Sequence, residues 1–252
     1  MAKVMILGSG FAVPDEVQDN THLLVTQGDR TILVDTASNP ILKLRRAGVA
    51  FDALTDLVLT HFHPDHVSGV PLLLMGMWLL GRKRPLDIYG LEHTIRRVQA
   101  MLDLYELLSW PNFYTVSFHV VADGEMMPVI EREDLRILAS PVRHLIPTMG
   151  LRFEFIPQSK VVAYSCDTEP CEEVVRLAYR ADILIHEAAG ASIGHTSPQQ
   201  AAEIARRAET RALYLIHYSQ MNVALMKALD EARQIYPEPI CLTQDFLPLD
   251  FG

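Results

Sequence analysis

The 252-residue sequence has few cysteines and no long apolar run. Its three cysteines, Cys166, Cys171 and Cys241, form no CxxC pair, which argues against a disulfide framework and favours a reducing compartment. The longest apolar run, residues 70–80, has 11 residues, whereas a membrane span needs roughly 20. The apolar stretch before Gly8 is too short for a signal peptide. We therefore expect a cytoplasmic protein with no membrane partner.

Basic residues are also scarce relative to acidic ones. The sequence has 22 Lys and Arg against 31 Asp and Glu, a formal net charge of −9, so its surface should repel nucleic acid and anionic membranes. Two local clusters, Arg82-Lys83-Arg84 and Arg96-Arg97, are compatible with polyanion binding, but a solvated loop and an outer helix face explain them more simply. With 49% hydrophobic residues, the composition is typical of a globular protein, and we expect one domain over residues 1–252.

Short strand-like runs alternate with helical stretches along the chain. Asn39-Pro40 predicts the start of a helix that closes at Gly48, and a capping box at residues 197–200 predicts the start of another. Residues 91–108 and 222–236 are also predicted to be helical. This alternation indicates an α/β fold. The predicted strands include residues 4–7, 32–34, 57–59, 86–89, 135–138, 161–164, 183–185 and 212–216.

Two other stretches admit more than one interpretation. Residues 8–10, Gly-Ser-Gly, follow a strand, but Val13 stands where a dinucleotide-binding fingerprint needs its third glycine. We therefore expect a tight turn between two strands. Residues 70–80 are expected to form a core helix, or to present their methionines and Trp78 to a substrate or a second subunit.

The strongest signal for chemistry is the run HFHPDH at residues 61–66. It directly follows an apolar strand and combines three imidazoles with a carboxylate. Alternate residues at a strand end point to the same side, so His61 and His63 can bind one ion. The intervening proline turns the chain, so Asp65 and His66 can face a neighbouring ion. The run therefore indicates two metal ions, and a His-rich surface loop is the less satisfactory interpretation.

Further ligands are expected at the ends of other strands, because the carboxyl ends of strands in an open α/β sheet form one functional rim. His144, Asp167 and His217 each follow a strand-like run. Taken singly, a histidine there is more often a hydrogen-bonding partner, and an aspartate more often caps a helix. Together with residues 61–66 they predict a centre with nitrogen and oxygen ligands, which favours zinc, with manganese or iron as alternatives.

The sequence resembles the metallo-β-lactamase-fold hydrolases and, within them, the ribonuclease Z branch of tRNA 3′-processing endonucleases. The resemblance covers nearly the whole chain. HFHPDH matches the HxHxDH motif of the superfamily, and Asp35 takes the place of its first, supporting aspartate. The narrower branch is indicated by LDIYG at 86–90, PVRH at 141–144, AYSCDT at 163–168, LIHEA at 184–188 and GHTSPQQA at 194–201.

This resemblance implies a four-layer αβ/βα sandwich, in which two mixed sheets are flanked by helices and the metals lie at one edge between the sheets. It also implies a division of the ligands into two sets with one bridging carboxylate. The first set is His61, His63 and His144, the second is Asp65, His66 and His217, and the bridge is Asp167.

Catalytic roles follow from the same resemblance. Asp65 is expected to act as a general base on the attacking water. Glu187 and His195 resemble a pair in which the carboxylate orients a histidine that assists the leaving group. Independently of the resemblance, His186 lies at a strand end beside Glu187, where it is either a supporting residue or a hydrogen-bonded core histidine. Because the family is commonly homodimeric, we expect a homodimer, with residues 70–80 contributing partly to its interface.

The sequence departs from the family in two places. Cys166 stands where the family usually has glycine before the bridging aspartate. The interval from His144 to Asp167 holds only 22 residues, whereas tRNA-clamping members carry a long arm there. With the net negative charge, this makes a small-molecule or single-stranded phosphodiester a better expected substrate than tRNA.

The sequence thus predicts a dinuclear metal-dependent phosphodiesterase that uses a metal-activated water. Hydrolysis of a lactone or aryl sulfate on the same site is one alternative, and tRNA 3′ processing is another. A non-catalytic metal-binding module is a third, although Asp65 and the three motif histidines argue against it.

Overall fold

The computed structural model describes residues 2–221 and 223–251. The strands are β1 (Lys3–Gly8), β2 (His22–Gln27), β3 (Arg30–Val34), β4 (Asp56–Leu59), β5 (Leu86–Leu91), β6 (Val116–Val121), β7 (Met127–Glu131), β8 (Leu135–Val142), β9 (Thr148–Phe155), β10 (Lys160–Tyr164), β11 (Ile183–Glu187), β12 (Leu213–Ile216), β13 (Ile240–Leu242) and β14 (Leu247–Asp250). The helices are α1 (Pro40–Arg46), α2 (Pro64–Val67), α3 (Val70–Leu79), α4 (Glu92–Leu104), α5 (Glu172–Leu177), α6 (Pro198–Arg207) and α7 (Leu225–Ile235), with a short 3₁₀ helix at Leu107–Ser109.

The strands form two seven-stranded sheets with matching organisation. Their orders are β14-β1-β2-β3-β4-β5-β6 and β13-β12-β11-β10-β9-β8-β7. In each sheet, one part is antiparallel and the other is parallel, from β3 to β6 in the first and from β10 to β13 in the second. The two mixed sheets flanked by helices confirm the predicted α/β sandwich.

Strand alternation explains how the layers pack. In β1, Val4 and Ile6 face the core between the two sheets, whereas Met5 and Leu7 face the helices outside the first sheet. A strand that is buried on both faces needs apolar residues at consecutive positions, which is why the strand-like runs were visible in the sequence. All eight predicted strands overlap observed strands, but several observed strands extend farther, β8 by four residues.

The predicted helix starts are also found, but two helices are shorter than expected. Asn39 caps α1, and Ser197 forms the capping box of α6. Helix α4 stops at Leu104 rather than residue 108 because Glu106 adopts a left-handed backbone conformation with φ 49°. Helix α7 begins at Leu225, and the predicted start at Asn222 lies outside the described residues.

The interpretation of residues 8–10 as a tight turn is wrong. The chain leaves β1 at Gly8 and returns only at His22, through a long loop whose Gly10 pairs with Asn20 and Tyr218. A Cβ on Gly8 would lie 2.0 Å from the backbone oxygen of Asn20. Glycine is required there by the close approach of two backbone segments.

Arg82 was predicted either to bind a polyanion or to lie in a solvated loop, and it does neither. Its guanidinium is buried and donates hydrogen bonds to four backbone carbonyls, those of Phe51, Leu54, Arg84 and Pro85. It therefore fixes the loop before β5 and is withdrawn from any ligand. Lys83 and Arg84 are exposed.

Helix α3 confirms the helix predicted at residues 70–80. The short interval between His144 and Asp167 also leaves no room for an arm. Helix α3 buries Met77 completely, while Trp78 is half-buried. Strands β9 and β10 form an antiparallel hairpin joined by residues 156–159, so no arm protrudes there. No helix in the described ranges is long and apolar enough to cross a membrane.

Candidate metal centre

The candidate site lies where strands from both sheets end. Residues 60–66 follow β4 of the first sheet, and His144, Asp167 and His217 follow β8, β10 and β12 of the second. All seven sequence-predicted ligands converge there. Groups of close nitrogen and oxygen atoms include His61, His63 and His144, and separately Asp65, His66, Asp167 and His217, with the atoms in each group within 4.8 Å of one another.

The first group is a tight triangle of imidazole nitrogens. His63 Nδ1 lies 3.1 Å from His61 Nε2 and 3.1 Å from His144 Nε2. Two ligands at the usual zinc–nitrogen distance of about 2.0–2.1 Å and a tetrahedral angle are about 3.3 Å apart. The observed separations therefore fit three ligands of one ion.

The second group surrounds one oxygen of Asp167. Asp167 Oδ2 lies 3.2 Å from His217 Nε2, 3.5 Å from His66 Nε2 and 4.0 Å from His61 Nε2. Asp65 Oδ2 is 3.4 Å from the same nitrogen of His66. One carboxylate oxygen thus adjoins nitrogens of both groups, which is the position that a bridging ligand requires.

Hydrogen bonds behind the imidazoles fix which ring nitrogen faces the centre. His66 Nδ1 donates to Asp35 Oδ2 at 2.9 Å, and His144 Nδ1 donates to the Gly194 carbonyl at 2.7 Å. His217 Nδ1 is 3.2 Å from Thr21 Oγ1, which accepts it because that hydroxyl donates to another carbonyl. With Nδ1 protonated, Nε2 keeps a lone pair for a metal.

Buried atoms without partners provide a test of whether a metal fits. His66 Nε2 and Asp167 Oδ1 are buried and have no hydrogen-bond partner among the described residues. Both atoms lie on the predicted ligand residues. An unsatisfied buried polar atom costs about 1–3 kcal/mol, and a divalent ion at the centre would remove this cost.

The electrostatics favour a positive charge in the same place. Burial disfavours the charged form of His66, but the carboxylates of Asp167 and Asp35 outweigh burial and raise the pKa of His66 well above its usual value. A metal ion bound to His66 Nε2 would be stabilised by the same two carboxylates. Burial lowers the pKa of His217 to about 4, so this imidazole is neutral, as a ligand must be.

Asp35 supports the centre without facing it. Its buried carboxylate accepts hydrogen bonds from the Thr60 amide, the Thr60 hydroxyl and His66 Nδ1. It thereby ties the end of β3 to the start of the HFHPDH loop. These contacts favour the supporting role predicted for Asp35.

Three residues at the centre have left-handed backbone conformations. Asp35, Cys166 and His217 have φ values of 59°, 53° and 55°, and each follows the end of a strand. Such conformations cost about 1 kcal/mol or more for residues other than glycine and concentrate at functional sites. This explains why glycine suits position 166, where this chain has cysteine.

The thiol of Cys166 is buried behind the ligands. Its Sγ lies 3.0 Å from Thr60 Oγ1 and 3.5 Å from His61 Nδ1. Burial raises the pKa of the Cys166 thiol well above its usual value, so it is a neutral thiol. It packs against the non-ligating edge of His61.

Glu187 and His195 form the predicted pair beside the centre. His195 Nδ1 lies 3.0 Å from Glu187 Oε1, which also accepts from the amides of Thr168 and Thr196. Burial raises the pKa of Glu187 to about 7, and the hydrogen bond to Glu187 raises the pKa of His195. The hydrogen bond to Glu187 therefore favours the protonated form of His195. A ring nitrogen of His195 lies within 4.8 Å of ligand atoms of His144 and Asp167.

His186 is the one predicted site residue that the structure separates from the centre. Strand alternation places it on the face of β11 opposite Glu187. It is buried, its Nδ1 bonds to the Glu187 carbonyl, and burial lowers its pKa to about 4. It therefore supports β11 locally.

Sequence reasoning missed a network that holds the loop beneath His217. Asp245 accepts hydrogen bonds from the amide and hydroxyl of Ser9 and from Lys43 Nζ at 2.7 Å. The Ser9 carbonyl in turn accepts from the His217 amide at 2.9 Å. Asp245 lies 236 residues from Ser9, so no local sequence pattern could have revealed this support.

Comparison with known proteins identifies the family. A profile of the β-lactamase superfamily domain matches residues 30–218. The ribonuclease Z of Mycobacterium sp. (strain KMS) is 32% identical over 245 residues, covering 86% of this chain and 84% of the relative. The chain belongs to the metallo-β-lactamase-fold superfamily, in its ribonuclease Z-like branch. As a superfamily member with this His and Asp cluster, it is a metal-dependent hydrolase.

Two other similar proteins extend this comparison. The ribonuclease Z of Methanothermobacter thermautotrophicus is 27% identical over 295 residues, covering 94% of this chain and 93% of the relative. That alignment is longer than this chain, so the relative carries insertions that this superfamily member lacks. The metallo-β-lactamase fold protein YhfI from Bacillus subtilis has the same fold, with a TM-score of 0.83, 22% identity and 98% coverage of both chains.

Proposed function

We propose that this protein is a dinuclear metal-dependent phosphodiesterase. The observation that carries the proposal is the hydrogen-bonded pair Glu187–His195 beside a centre of seven converging ligands. A metal centre alone suits many hydrolytic reactions. A poised proton donor next to it suits a reaction whose leaving alkoxide needs a proton.

The ligand roles follow from the two groups of atoms. His61, His63 and His144 would hold one ion, and Asp65, His66 and His217 the other, with Asp167 between them. Zinc suits this set of nitrogen and oxygen donors, and manganese and iron are alternatives. When bound, two divalent ions supply activation of a water nucleophile and stabilisation of the charge that develops on the phosphoryl oxygens.

The protein's own residues move the protons. Asp65 is half-buried at the edge of the centre, where its carboxylate is positioned to accept a proton from the attacking water. His195, beside His144 and Asp167, donates a proton to the leaving oxygen. Glu187 fixes the orientation of His195 through Nδ1 and stabilises its charged form.

A small-molecule or single-stranded phosphodiester is the substrate class we propose. A β-hairpin with a four-residue connection occupies the interval where tRNA-clamping relatives carry an arm, and the chain has a formal net charge of −9. A tRNA clamp must neutralise many backbone phosphates. Endonucleolytic tRNA processing remains the second candidate because the similar relatives are named ribonuclease Z.

We also propose that the chain forms a homodimer through α3. Leu72 and Leu79 on this helix are 50% and 66% exposed, and Leu42 on the adjoining α1 is 51% exposed. Light scattering on a size-exclusion column should give twice the 28.3 kDa chain mass. Leu79→Glu should shift the protein toward the monomer, and a wild-type monomer at micromolar concentration would contradict the proposal.

Metal removal tests the proposed function. Protein stripped of metal with a chelator should lose hydrolysis of bis(p-nitrophenyl) phosphate and regain it with zinc or manganese. Activity that is indifferent to chelation would refute the proposal. A precursor tRNA with a 3′ extension, assayed in parallel, distinguishes the second candidate.

The His195→Ala variant separates proton donation from metal binding. With a phosphodiester whose leaving group is an unactivated alkoxide, it should lower kcat by about 10²–10⁴-fold and leave the metal content unchanged. His119→Ala is a matched control because His119 is an exposed histidine on β6 that bonds only to Asp87 among the described side chains. Loss of metal from His195→Ala would show that its role has been misassigned.

A further inference from the structure

We propose that the substrate's leaving group is an alcohol without negative charge that occupies a cavity beside His195, and that Glu169 and Ile193 select it. This inference rests on the proposed phosphodiesterase function, because it identifies the group that His195 protonates. It concerns the substrate class and not the metal chemistry.

The cavity adjoins the proposed proton donor. It is an open surface pocket with a volume of about 460 Å³. His195 forms part of its wall, and the remaining lining residues are Glu169, Pro170, Ala191, Ser192, Ile193 and Gln200.

The position of His195 determines what enters this cavity. One of its ring nitrogens lies within 4.8 Å of ligand atoms of His144 and Asp167, and Nδ1 is held by Glu187. His195 therefore stands between the metal centre and the cavity. An oxygen that receives a proton from His195 must lie next to this ring, so the group carried by that oxygen extends into the cavity.

The charge of the cavity disfavours an anionic leaving group. The charged groups among the described residues that line it are Glu169 and, until it gives up its proton, His195. Arg143, the exposed cation next to His144, is not part of the lining. Glu169 Oε1 accepts from the Gly194 amide at 2.9 Å, which holds the carboxylate one residue from His195. A leaving group with its own phosphate or carboxylate would face this negative charge without a compensating lysine or arginine.

The apolar part of the lining favours a group with an apolar face. Ile193 is 79% exposed, although a side chain of this type is usually buried. Leu145, which is 59% exposed, lies on the adjoining loop, and its Cγ is only 3.1 Å from where a Cβ on Gly194 would be. A bound aromatic or aliphatic group would cover part of Ile193.

A second cavity borders the loop that carries His144, and its lining also has acidic residues but no lysine or arginine among the described residues. It has a volume of about 560 Å³ and borders the His144 loop through Val142 and Pro147. The permanent charges among its described lining residues are those of Glu92 and Asp123. Neither cavity therefore has a lysine or arginine among its described lining residues.

Two pairs of probes test the inference. The first pair is methyl p-nitrophenyl phosphate and methyl 3-carboxy-4-nitrophenyl phosphate, whose leaving phenols differ by one carboxylate. We expect kcat/KM to be at least about tenfold lower for the carboxylated ester. The second pair is methyl benzylphosphonate and methyl 3-carboxybenzylphosphonate, in which a P–C bond replaces the scissile P–O bond so that the benzyl group cannot leave. It gives the same comparison as a binding ratio by calorimetry.

Three variants locate the cause of this discrimination. Glu169→Gln keeps an oxygen for the Gly194 amide and removes the charge, so both ratios should shrink toward one. Ile193→Arg places a cation on an exposed position of the lining and should reverse the preference, a gain that unfolding cannot mimic. Glu209→Gln makes the same change in net charge at an exposed residue outside the cavity and should leave the ratios unchanged.

The outcomes separate this inference from the proposed function. If metal-loaded protein hydrolyses neither aryl ester, the phosphodiesterase proposal fails. If it hydrolyses both with equal kcat/KM, or prefers the carboxylated ester, the function stands and the inference is overturned. Unchanged ratios in Glu169→Gln and Ile193→Arg would also overturn it.

Discussion

Asp35→Asn should remove the second metal ion while keeping the first. Asp35 accepts three hydrogen bonds, from the Thr60 amide, the Thr60 hydroxyl and His66 Nδ1. An amide in its place offers only one accepting oxygen, so its NH₂ group must face at least one donor. With the NH₂ group near His66, the imidazole would place its proton on Nε2, the nitrogen that the metal needs.

The magnitude follows from these contacts. Loss of the partner that orients a metal-bound histidine typically lowers metal affinity about 10–100-fold, which is about 1.4–2.8 kcal/mol. Misplaced donors should also destabilise the fold by about 1–3 kcal/mol. Asparagine tolerates the left-handed backbone of position 35, where φ is 59°, so backbone strain does not complicate the comparison.

The assay combines metal analysis with a competition titration. Wild type loaded with zinc should contain two ions per chain, and Asp35→Asn should retain one after dialysis against a weak chelator. Asp56→Asn is the control, because Asp56 is equally buried but pairs with Arg30 at the other end of β4. Two ions held with unchanged affinity in Asp35→Asn would refute the role assigned to Asp35.

Three other substitutions test contacts that stabilise the fold or hold the Glu187–His195 pair. Lys43→Met leaves its two aspartate partners unpaired and should lower the free energy of unfolding in urea by about 3–5 kcal/mol; an unchanged midpoint would contradict this. Glu187→Gln places an NH₂ group among N–H donors and should reduce kcat for a phosphodiester with an alkoxide leaving group about 10²-fold or more, with two ions retained. Wild-type kcat would show that His195 needs no partner. Ser197→Ala removes the α6 capping box and should cost about 1 kcal/mol in urea without changing kcat per folded molecule.

The fold and most of the site were predictable because their signals are local. The HFHPDH run places four candidate ligands at one strand end, and strands buried on both faces leave continuous apolar runs. His144, Asp167 and His217 could be predicted because each follows such a run. Their convergence required only that strand ends share one edge.

The unpredicted features depend on contacts between distant residues. Thr21 orients His217 across 196 sequence positions, and no pattern near either residue indicates the pair. Arg82 belonged to a basic cluster in the sequence, but four carbonyls in the surrounding fold bury it. The long loop after Gly8 was missed for the same reason, since its partners Asn20 and Tyr218 lie outside the local motif.

An anomalous-scattering experiment on crystals of the zinc-loaded protein tests the central claim most directly. We predict two zinc peaks per chain, one contacted by His61, His63 and His144 and the other by Asp65, His66 and His217, with Asp167 between them. A single peak, or zinc bound at other residues while these side chains stay free, would contradict the account.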